Sequence, residues 1–160
     1  MIFLRFIYLF SAFCFLCLCL NISPNDSIAE TKKKIMTTKF KEANVRNGPG
    51  LNHLKIYKIL KKGYPLKILD EFENWKKISD VNGITGWVSN SQLSEKNYVI
   101  VTISEGVIFK FPNPESKKMA KIKKNFVLEN QKCIKDWCFI KEGEIKGWIS
   151  KKNIWGFSDN

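Results

Sequence analysis

From Lys41 onwards, apolar residues occur in short runs that are separated by turn residues. The runs of the first half lie at 56–60, 66–69, 75–78 and 86–88, and each has the length of a strand. The three-to-four-residue spacing of an amphipathic helix is missing from these runs. Several short strands at such spacing predict an all-β chain, folded as a small barrel or sandwich.

Turn sequences lie between these runs, at 48–50, 62–63 and 82–83. The pair Asn82-Gly83 is the strongest hairpin signal, because both central positions of the favoured two-residue turn need a positive φ. A hairpin is therefore predicted between the strands that contain Ile78 and Trp87.

The same order of aromatic, glycine and turn positions occurs twice. Residues 60–66 (LKKGYPL) match 122–128 (IKKNFVL), 74–78 (NWKKI) match 136–140 (DWCFI), and 86–89 (GWVS) match 147–150 (GWIS). The offset is 62 residues up to the pair Trp75 and Trp137 and 61 after it, so the second hairpin turn is one residue shorter. The sequence predicts a tandem of two homologous β units, at 41–94 and 98–157. Residues 30–40 (ETKKKIMTTKF) carry no sustained apolar period and are expected to form a flexible lead-in.

The start of the chain has a different pattern. Arg5 precedes an apolar run over 6–20, and the small-x-small sequence Ser27-Ile28-Ala29 follows. These features predict that residues 1–29 are a signal peptide cleaved near Ala29, which implies a periplasmic or secreted protein. The alternative is an uncleaved membrane anchor, although the run is shorter than the roughly 20 residues of a spanning helix.

The net charge of +12 comes almost entirely from lysine. Loss of residues 1–29 would remove Arg5 and Asp26, which cancel, so the mature chain would keep this charge. Because lysine is a poor reader of base edges, nucleic acid is not expected as a partner. An exported basic protein instead meets anionic lipid or polysaccharide surfaces and cell-wall polymer. The alternative is that a genome rich in A and T has filled solvated positions with lysine.

Two cysteines, Cys133 and Cys138, remain after the predicted cleavage. Four residues lie between them, with turn residues at Lys135-Asp136, so the spacing places them on facing strands of one hairpin and on the same face. A cross-strand disulfide is predicted, and free thiols are the alternative. The first unit has Glu71 and Lys76 at the matching positions, which predicts a charge pair across the equivalent hairpin.

No constellation of residues suggests catalysis. The only histidine, His53, would need Cys133 or Cys138 from the other unit to form a dyad, and these three residues are too few for a zinc site without a carboxylate. The acidic residues Asp70, Glu71 and Glu73 are expected to face water. We therefore predict no enzyme activity, no cofactor and no metal.

The aromatic residues are more informative, because a domain of this size can bury only one or two of them. Exposed aromatic grooves flanked by charge are a recurring way of holding extended peptides. The candidates for such a groove are Tyr57, Tyr64, Trp75 and Trp87. The alternative for Trp75 and Trp137 is packing between the two units.

Two motifs resemble a known family. The sequence NVRNGPG at 44–50 is similar to the N-V-R-x-G-P-G opening of bacterial SH3 domains, and GWV at 86–88 resembles the strand that closes them. The chain looks most like a tandem, exported proteobacterial type whose second unit carries C-x4-C around D-W. The second unit departs from the first motif, since KFPNP at 110–114 replaces the glycine-proline turn.

The resemblance implies two SH3-like β-barrels and a role in recognition rather than chemistry. The expected partner is cell-wall peptidoglycan or a peptide of an envelope protein. The alternative is a structural accessory of an assembly, with no ligand site of its own.

Overall fold

The computed structural model describes residues 34–158, all within one compact unit. These residues form two antiparallel sheets of seven strands each, with the same strand order in both. This arrangement confirms the predicted all-β fold with two tandem SH3-like domains. The predicted signal peptide, residues 1–29, lies outside the described residues. In the described part of the chain, no helix is long and apolar enough to cross a bilayer.

The first domain contains the strands β1 (Ile35–Thr38), β2 (Ala43–Arg46), β3 (Lys55–Ile59), β4 (Pro65–Phe72), β5 (Trp75–Ser79), β6 (Thr85–Ser89) and β7 (Leu93–Ser94). Their order in the sheet is β3-β2-β6-β5-β4-β1-β7. A 3-10 turn at Asn90–Gln92 connects β6 to β7. The sheet curls around its core, but its two edge strands, β3 and β7, do not pair to close a barrel.

The second domain repeats this plan with the strands β8 (Tyr98–Val101), β9 (Glu105–Phe109), β10 (Lys118–Lys123), β11 (Val127–Ile134), β12 (Trp137–Glu142), β13 (Ile145–Ser150) and β14 (Ile154–Trp155). Their order is β10-β9-β13-β12-β11-β8-β14, with a 3-10 turn at Lys151–Asn153 before β14.

Each domain buries the alternate, inward-facing residues of its strands. The fully buried side chains occupy equivalent places in the two domains: Val45, Leu66, Ile78 and Val88 in the first, and Ile108, Leu128, Ile140 and Ile149 in the second. The intervening residues point outward because successive side chains of a strand alternate between its faces. The outward-facing positions are therefore available for other contacts.

The hairpin at Asn82-Gly83 forms, but with a longer turn than predicted. β5 ends at Ser79 and β6 begins at Thr85, and of the pair only Gly83 has a positive φ, of 81°. The buried Asp80 changes the turn, since its Oδ1 accepts hydrogen bonds from the backbone N–H groups of Asn82 and Ile84 at 2.9 and 2.8 Å. The expectation that Asn82 and Gly83 both have a positive φ, as in a two-residue turn, is wrong because Asp80 offers the loop a different set of hydrogen bonds.

The prediction of a flexible lead-in over 30–40 is wrong for β1, Ile35–Thr38. Met36, Thr37 and Thr38 are buried, and the strand pairs with both β4 and β7. The threonine hydroxyls are satisfied by distant backbone: Thr37 Oγ1 donates to the carbonyl of Lys96 at 2.9 Å, and Thr38 Oγ1 donates to that of Lys61.

The cross-strand links at the two equivalent hairpins are confirmed. Cys133 and Cys138 are register partners on β11 and β12, with a disulfide between them and Cα atoms 4.0 Å apart. Glu71 and Lys76 are register partners on β4 and β5 and form an ion pair. Only 14% of the Lys76 side chain is exposed, and Cys138 at the same position is fully buried. The same position therefore holds an ionic link in one domain and a covalent link in the other.

The two domains pack against each other along a seam. Ile100 of β8 is 1% exposed, yet it belongs to neither hydrophobic core. Its neighbour Tyr98 covers Gly63, where a Cβ atom would lie 2.9 Å from Tyr98 Cγ. At the end of the second domain, Gly156 lies directly against Pro65, where a Cβ atom would overlap the proline ring. The outward face of β8 is therefore covered by the first domain.

Candidate functional site

His53 lies in the loop that connects β2 and β3, where the structure gives it a packing role. Its side chain is exposed, but one face of its ring lies against Gly48, where a Cβ atom would overlap the imidazole. Arg46 Nη1 holds the same loop by donating to the carbonyls of Leu51 at 3.0 Å and His53 at 2.6 Å. The NVRNGPG segment thus runs from β2 into a loop that is fixed by Arg46, the segment's glycines and His53.

The structure does not place His53 in a catalytic group. The cysteines that a dyad would need, Cys133 and Cys138, are joined in the disulfide of the other domain. Among residues 34–158, no group of three or more His, Cys, Asp or Glu side chains could hold a metal ion. Asp70 and Glu73 are exposed to solvent.

Tyr57 and Tyr64 come together in a cavity of about 340 Å³ at the seam, which we call the seam cavity. Both tyrosines pack against the first core and are half-buried. Asp80 lines the wall on the side of the first domain, and Ile100 and Asn125 line it on the side of the second. Both domains are therefore needed to form this cavity.

Trp75 and Trp87 do not line the seam cavity. Trp87 lies between the buried residues Gly86 and Val88 on β6, so strand alternation turns its side chain away from the core. Trp75 is on the same outer face, since Trp87 and Lys77 are register partners and Trp75 is two residues from Lys77. The four predicted groove residues thus occupy two different surfaces.

The second domain has a larger aromatic surface at the equivalent outer face, which we call the aromatic face. Four half-buried rings lie on three neighbouring strands: Phe109, Trp137, Phe139 and Trp148. The ring centroids of Phe109 and Trp137 are 5.6 Å apart in an edge-to-face arrangement, and those of Phe139 and Trp148 are 5.2 Å apart. Aromatic rings in such arrangements stabilise one another by more than the burial of their apolar area alone.

Lysine adds positive charge to the aromatic face. Lys132 Nζ lies 5.8 Å from the Trp148 ring, within the range of a cation–π interaction. Exposed Ile134 is the register partner of Trp137 and extends the apolar surface on the same side. The contact that the structure gives Trp137 is with Phe109 of its own domain.

Sequence reasoning missed the aromatic face because its groove candidates all came from the first domain. Positions 75 and 87 correspond to Trp137 and Trp148, so the repeat itself contained the signal. The other two rings, Phe109 and Phe139, take the places of Arg46 and Lys77. Only the sheet order brings β9 beside β13 and so unites the four rings.

Burial and the negative charge of Asp80 raise the pKa of Tyr57 from the ordinary 10.0 to about 12. The folded protein therefore keeps this proton at a pH where the unfolded chain has lost it. We expect the free energy of unfolding to be unaffected by Tyr57 below pH 10 and to decline as the pH rises from 10 towards 12. Urea unfolding across this range, followed in parallel with tyrosinate absorbance, measures the effect.

The control for this prediction is Tyr57→Phe, which removes the titrating hydroxyl and keeps the ring. This variant should lose the most alkaline step of the tyrosinate titration and part of the alkaline loss of stability. An unchanged titration in Tyr57→Phe would contradict the assignment.

The model of the bacterial SH3 domain family matches residues 39–95 and 103–156. No curated protein matches the chain. Among solved structures, the chain is similar to NlpC2 from Trichomonas vaginalis at 15% identity and a TM-score of 0.35, covering 77% of this chain and 48% of that one. It is similar to NlpC1 from the same organism at 15% identity and a TM-score of 0.35, covering 76% and 45%.

A NlpC/P60 family protein from Bacillus cereus matches at 12% identity and a TM-score of 0.34, covering 78% of this chain and 56% of that one. The chain thus spans about half the length of these solved structures. The family model, by contrast, covers most of the chain in two separate segments, one in each sheet. The chain belongs to the bacterial SH3 domain family and carries two such domains in tandem.

Proposed function

We propose that the chain is an exported, non-enzymatic binding protein of the bacterial cell envelope, of the tandem proteobacterial type that its motifs resemble. Bacterial SH3 domains are often cell-wall binding modules. Its ligand is cell-wall peptidoglycan or a peptide of an envelope protein. The predicted signal peptide and the disulfide support export, because disulfides persist in oxidising compartments.

The aromatic face of the second domain is the observation that carries this proposal. Its four rings face away from the core and are only half-buried, so packing in the hydrophobic core does not account for their position. Aromatic residues dominate the energetic centres of binding surfaces because they bury a large area with few rotatable bonds. We infer that an extended ligand lies across the strands of this face.

The first domain offers a smaller version of the same surface. Trp75 and Trp87 are kept there, but Lys77 replaces one phenylalanine, and Arg46 is committed to the loop carbonyls of Leu51 and His53. The second domain therefore provides the main contact, and the tryptophans of the first domain offer a weaker one.

The lysines around the aromatic face favour a ligand that carries negative charge. Lys132 lies over Trp148, and exposed Lys141 and Lys146 are register partners on β12 and β13. These charges attract the carboxylates of cell-wall peptides or of an acidic protein segment, with a contribution that salt screens beyond about 8 Å at physiological ionic strength. The rings supply the contribution that persists at high salt.

Retention on purified cell-wall sacculi tests the proposal. Phe139→Lys copies the residue that the first domain carries at the equivalent position, so the variant is expected to fold. We expect Phe139→Lys and Trp137→Ala each to weaken binding by about tenfold, as loss of a buried aromatic anchor does.

The matched control is Trp75→Ala in the first domain, for which we expect a smaller loss. Equal retention of all variants would contradict a role of the aromatic face. If the unmodified protein is not retained on sacculi at low salt, peptidoglycan is excluded as the ligand, and an envelope-protein peptide is left.

A further inference from the structure

A second site lies at the seam cavity, separate from the aromatic face. The charged residues that line this cavity are Lys58, Lys61 and Asp80. Lys58 Nζ is paired with the carboxylate of Glu42 at 2.9 Å. Lys61 Nζ donates to the backbone carbonyl of Asn125 at 2.6 Å, across the seam. Both ammonium groups are therefore committed to other partners.

Of the three charged residues that line the seam cavity, Asp80 is the one whose charge is available to a ligand. It is 6% exposed, and none of the lysine or arginine residues between 34 and 158 forms an ion pair with it. The backbone N–H groups of Asn82 and Ile84 hold its Oδ1, so the carboxylate is fixed in place. Burial and the negative charge of Asp80 together raise the pKa of both Tyr57 and Tyr64, so this charge acts within the cavity.

Tyr57 provides the second observation. Its hydroxyl is closed off from solvent and has no hydrogen-bond partner among the described residues. A buried polar group without a partner destabilises the folded protein, and a ligand that completes the hydrogen bonding would recover that loss. The rings of Tyr57 and Tyr64 also present faces that attract a cation.

We propose that the seam cavity binds a primary ammonium group carried by a peptide. An ammonium group has three N–H donors and no acceptor, which suits a fixed carboxylate beside two phenolic oxygens. A volume of about 340 Å³ is sufficient for a lysine-like side chain. An anionic group is disfavoured because it would lie beside the carboxylate of Asp80.

The peptide must also carry carboxylates, because the net charge of +12 repels a simple amine. A second cavity, of about 590 Å³, shares Lys61 with the seam cavity and is also lined by Lys62 and Lys141. Lysines exceed the acidic residues there by three to two, the latter being Glu129 and Glu142. The ammonium group thus enters the seam cavity while a neighbouring carboxylate faces Lys62.

Both domains are required for this site, and the second domain shows why. Its residues equivalent to Tyr57 and Tyr64 are Ala120, which pairs with Ile108 as Tyr57 pairs with Val45, and Phe126, which is 45% exposed. No further domain covers them within residues 34–158. The site is therefore a product of the packing of two unequal copies.

Calorimetric titration of the full chain with the tripeptide Glu-Lys-Glu, acetylated and amidated at its ends, tests the proposal. The comparison peptide is the same molecule with its lysine acetylated, which removes the charge. We expect the unmodified peptide to bind and the acetylated one to bind at least about tenfold more weakly, as loss of a charge-assisted hydrogen bond implies.

Two variants locate the site. Asp80→Asn keeps the acceptor that holds the loop and removes the charge, so it should weaken binding by about tenfold or more. Tyr57→Phe should weaken binding by a smaller factor and leave the stability unchanged or higher, since the hydroxyl has no partner in the empty cavity. Glu144→Gln, an exposed hairpin residue of the second domain, makes the same change in net charge and should have no effect.

The proposal is overturned if the tripeptide does not bind at millimolar concentration, if both peptides bind equally, or if Asp80→Asn binds like Glu144→Gln. Thermal unfolding of each variant confirms that it is folded. Retention on sacculi is measured separately, so failure of the seam site and failure of the aromatic face can be told apart.

Discussion

Replacing Gly147 with alanine is expected to destabilise the second domain by about 1–3 kcal/mol, the usual cost of forcing an extra group into a packed core. At this point β13 crosses β9, and the two strands share the single register pair Trp148 and Phe109. A Cβ atom at position 147 would lie 2.5 Å from the backbone oxygen of Phe109 and 2.6 Å from Ile108 Cγ2. The backbone oxygen cannot turn aside as a side chain can, so the strands must move apart.

The matched control is Gly106→Ala, also a buried glycine in a strand of the second domain. A Cβ atom there would meet its nearest neighbours, Ile149 Cδ1 and Val101 Cγ1, at 3.4 Å. This is close to ordinary contact, so we expect a change below about 1 kcal/mol. Urea unfolding monitored by tryptophan fluorescence measures both variants. Equal stability of the two would show that the close crossing does not restrict position 147.

Gly86 in the first domain has the same role, since a Cβ atom there would overlap Val45 and approach the backbone oxygen of Arg46 to 3.0 Å. The glycine of the repeated Gly-Trp pair is thus explained by the crossing of two strands. The tryptophan that follows points to the outer face because successive side chains of a strand alternate between its faces.

Reduction of the disulfide is expected to lower the free energy of unfolding of the second domain by about 2 kcal/mol, because the loop that it closes is short. Unfolding in urea with and without a thiol reductant measures the effect. The variant with both Cys133 and Cys138 replaced by alanine is the control, since it should be insensitive to the reductant.

The oxidation state of the exported protein is tested separately. Mass spectrometry of non-reduced, alkylated protein from periplasmic extract should show no alkylated cysteine within residues 30–160. Two alkylated cysteines would contradict the disulfide in the cell and weaken the proposal of export.

Features that depend on local sequence could be predicted. The disulfide and the ion pair between Glu71 and Lys76 follow from two-residue alternation and a short turn, both visible within eight residues. The repeat was equally visible because its glycine and tryptophan positions stay in phase. Predicting most of the strands and the tandem organisation required no knowledge of contacts between residues that are distant along the chain.

Features that depend on distant contacts could not be predicted. β1 is only four residues long and contains two threonines, and its stability comes from β4 and β7, about 30 and 60 residues away along the chain. The seam cavity depends on Ile100 and Asn125 of the other domain. The aromatic face depends on Phe109, which reaches Trp137 only through the sheet order.

Because neither sheet closes into a barrel, each domain keeps two unpaired edges that could pair with another molecule and start aggregation. Two of the edge strands, β7 and β14, are only two residues long and offer little to pair with. The other two carry exposed lysines, Lys55 and Lys58 on β3 and Lys118, Lys121 and Lys123 on β10. Lysine on an edge opposes intermolecular pairing, because bringing two such strands together would bury and juxtapose like charges. Part of the positive charge of this protein thus protects it from its own sheet edges.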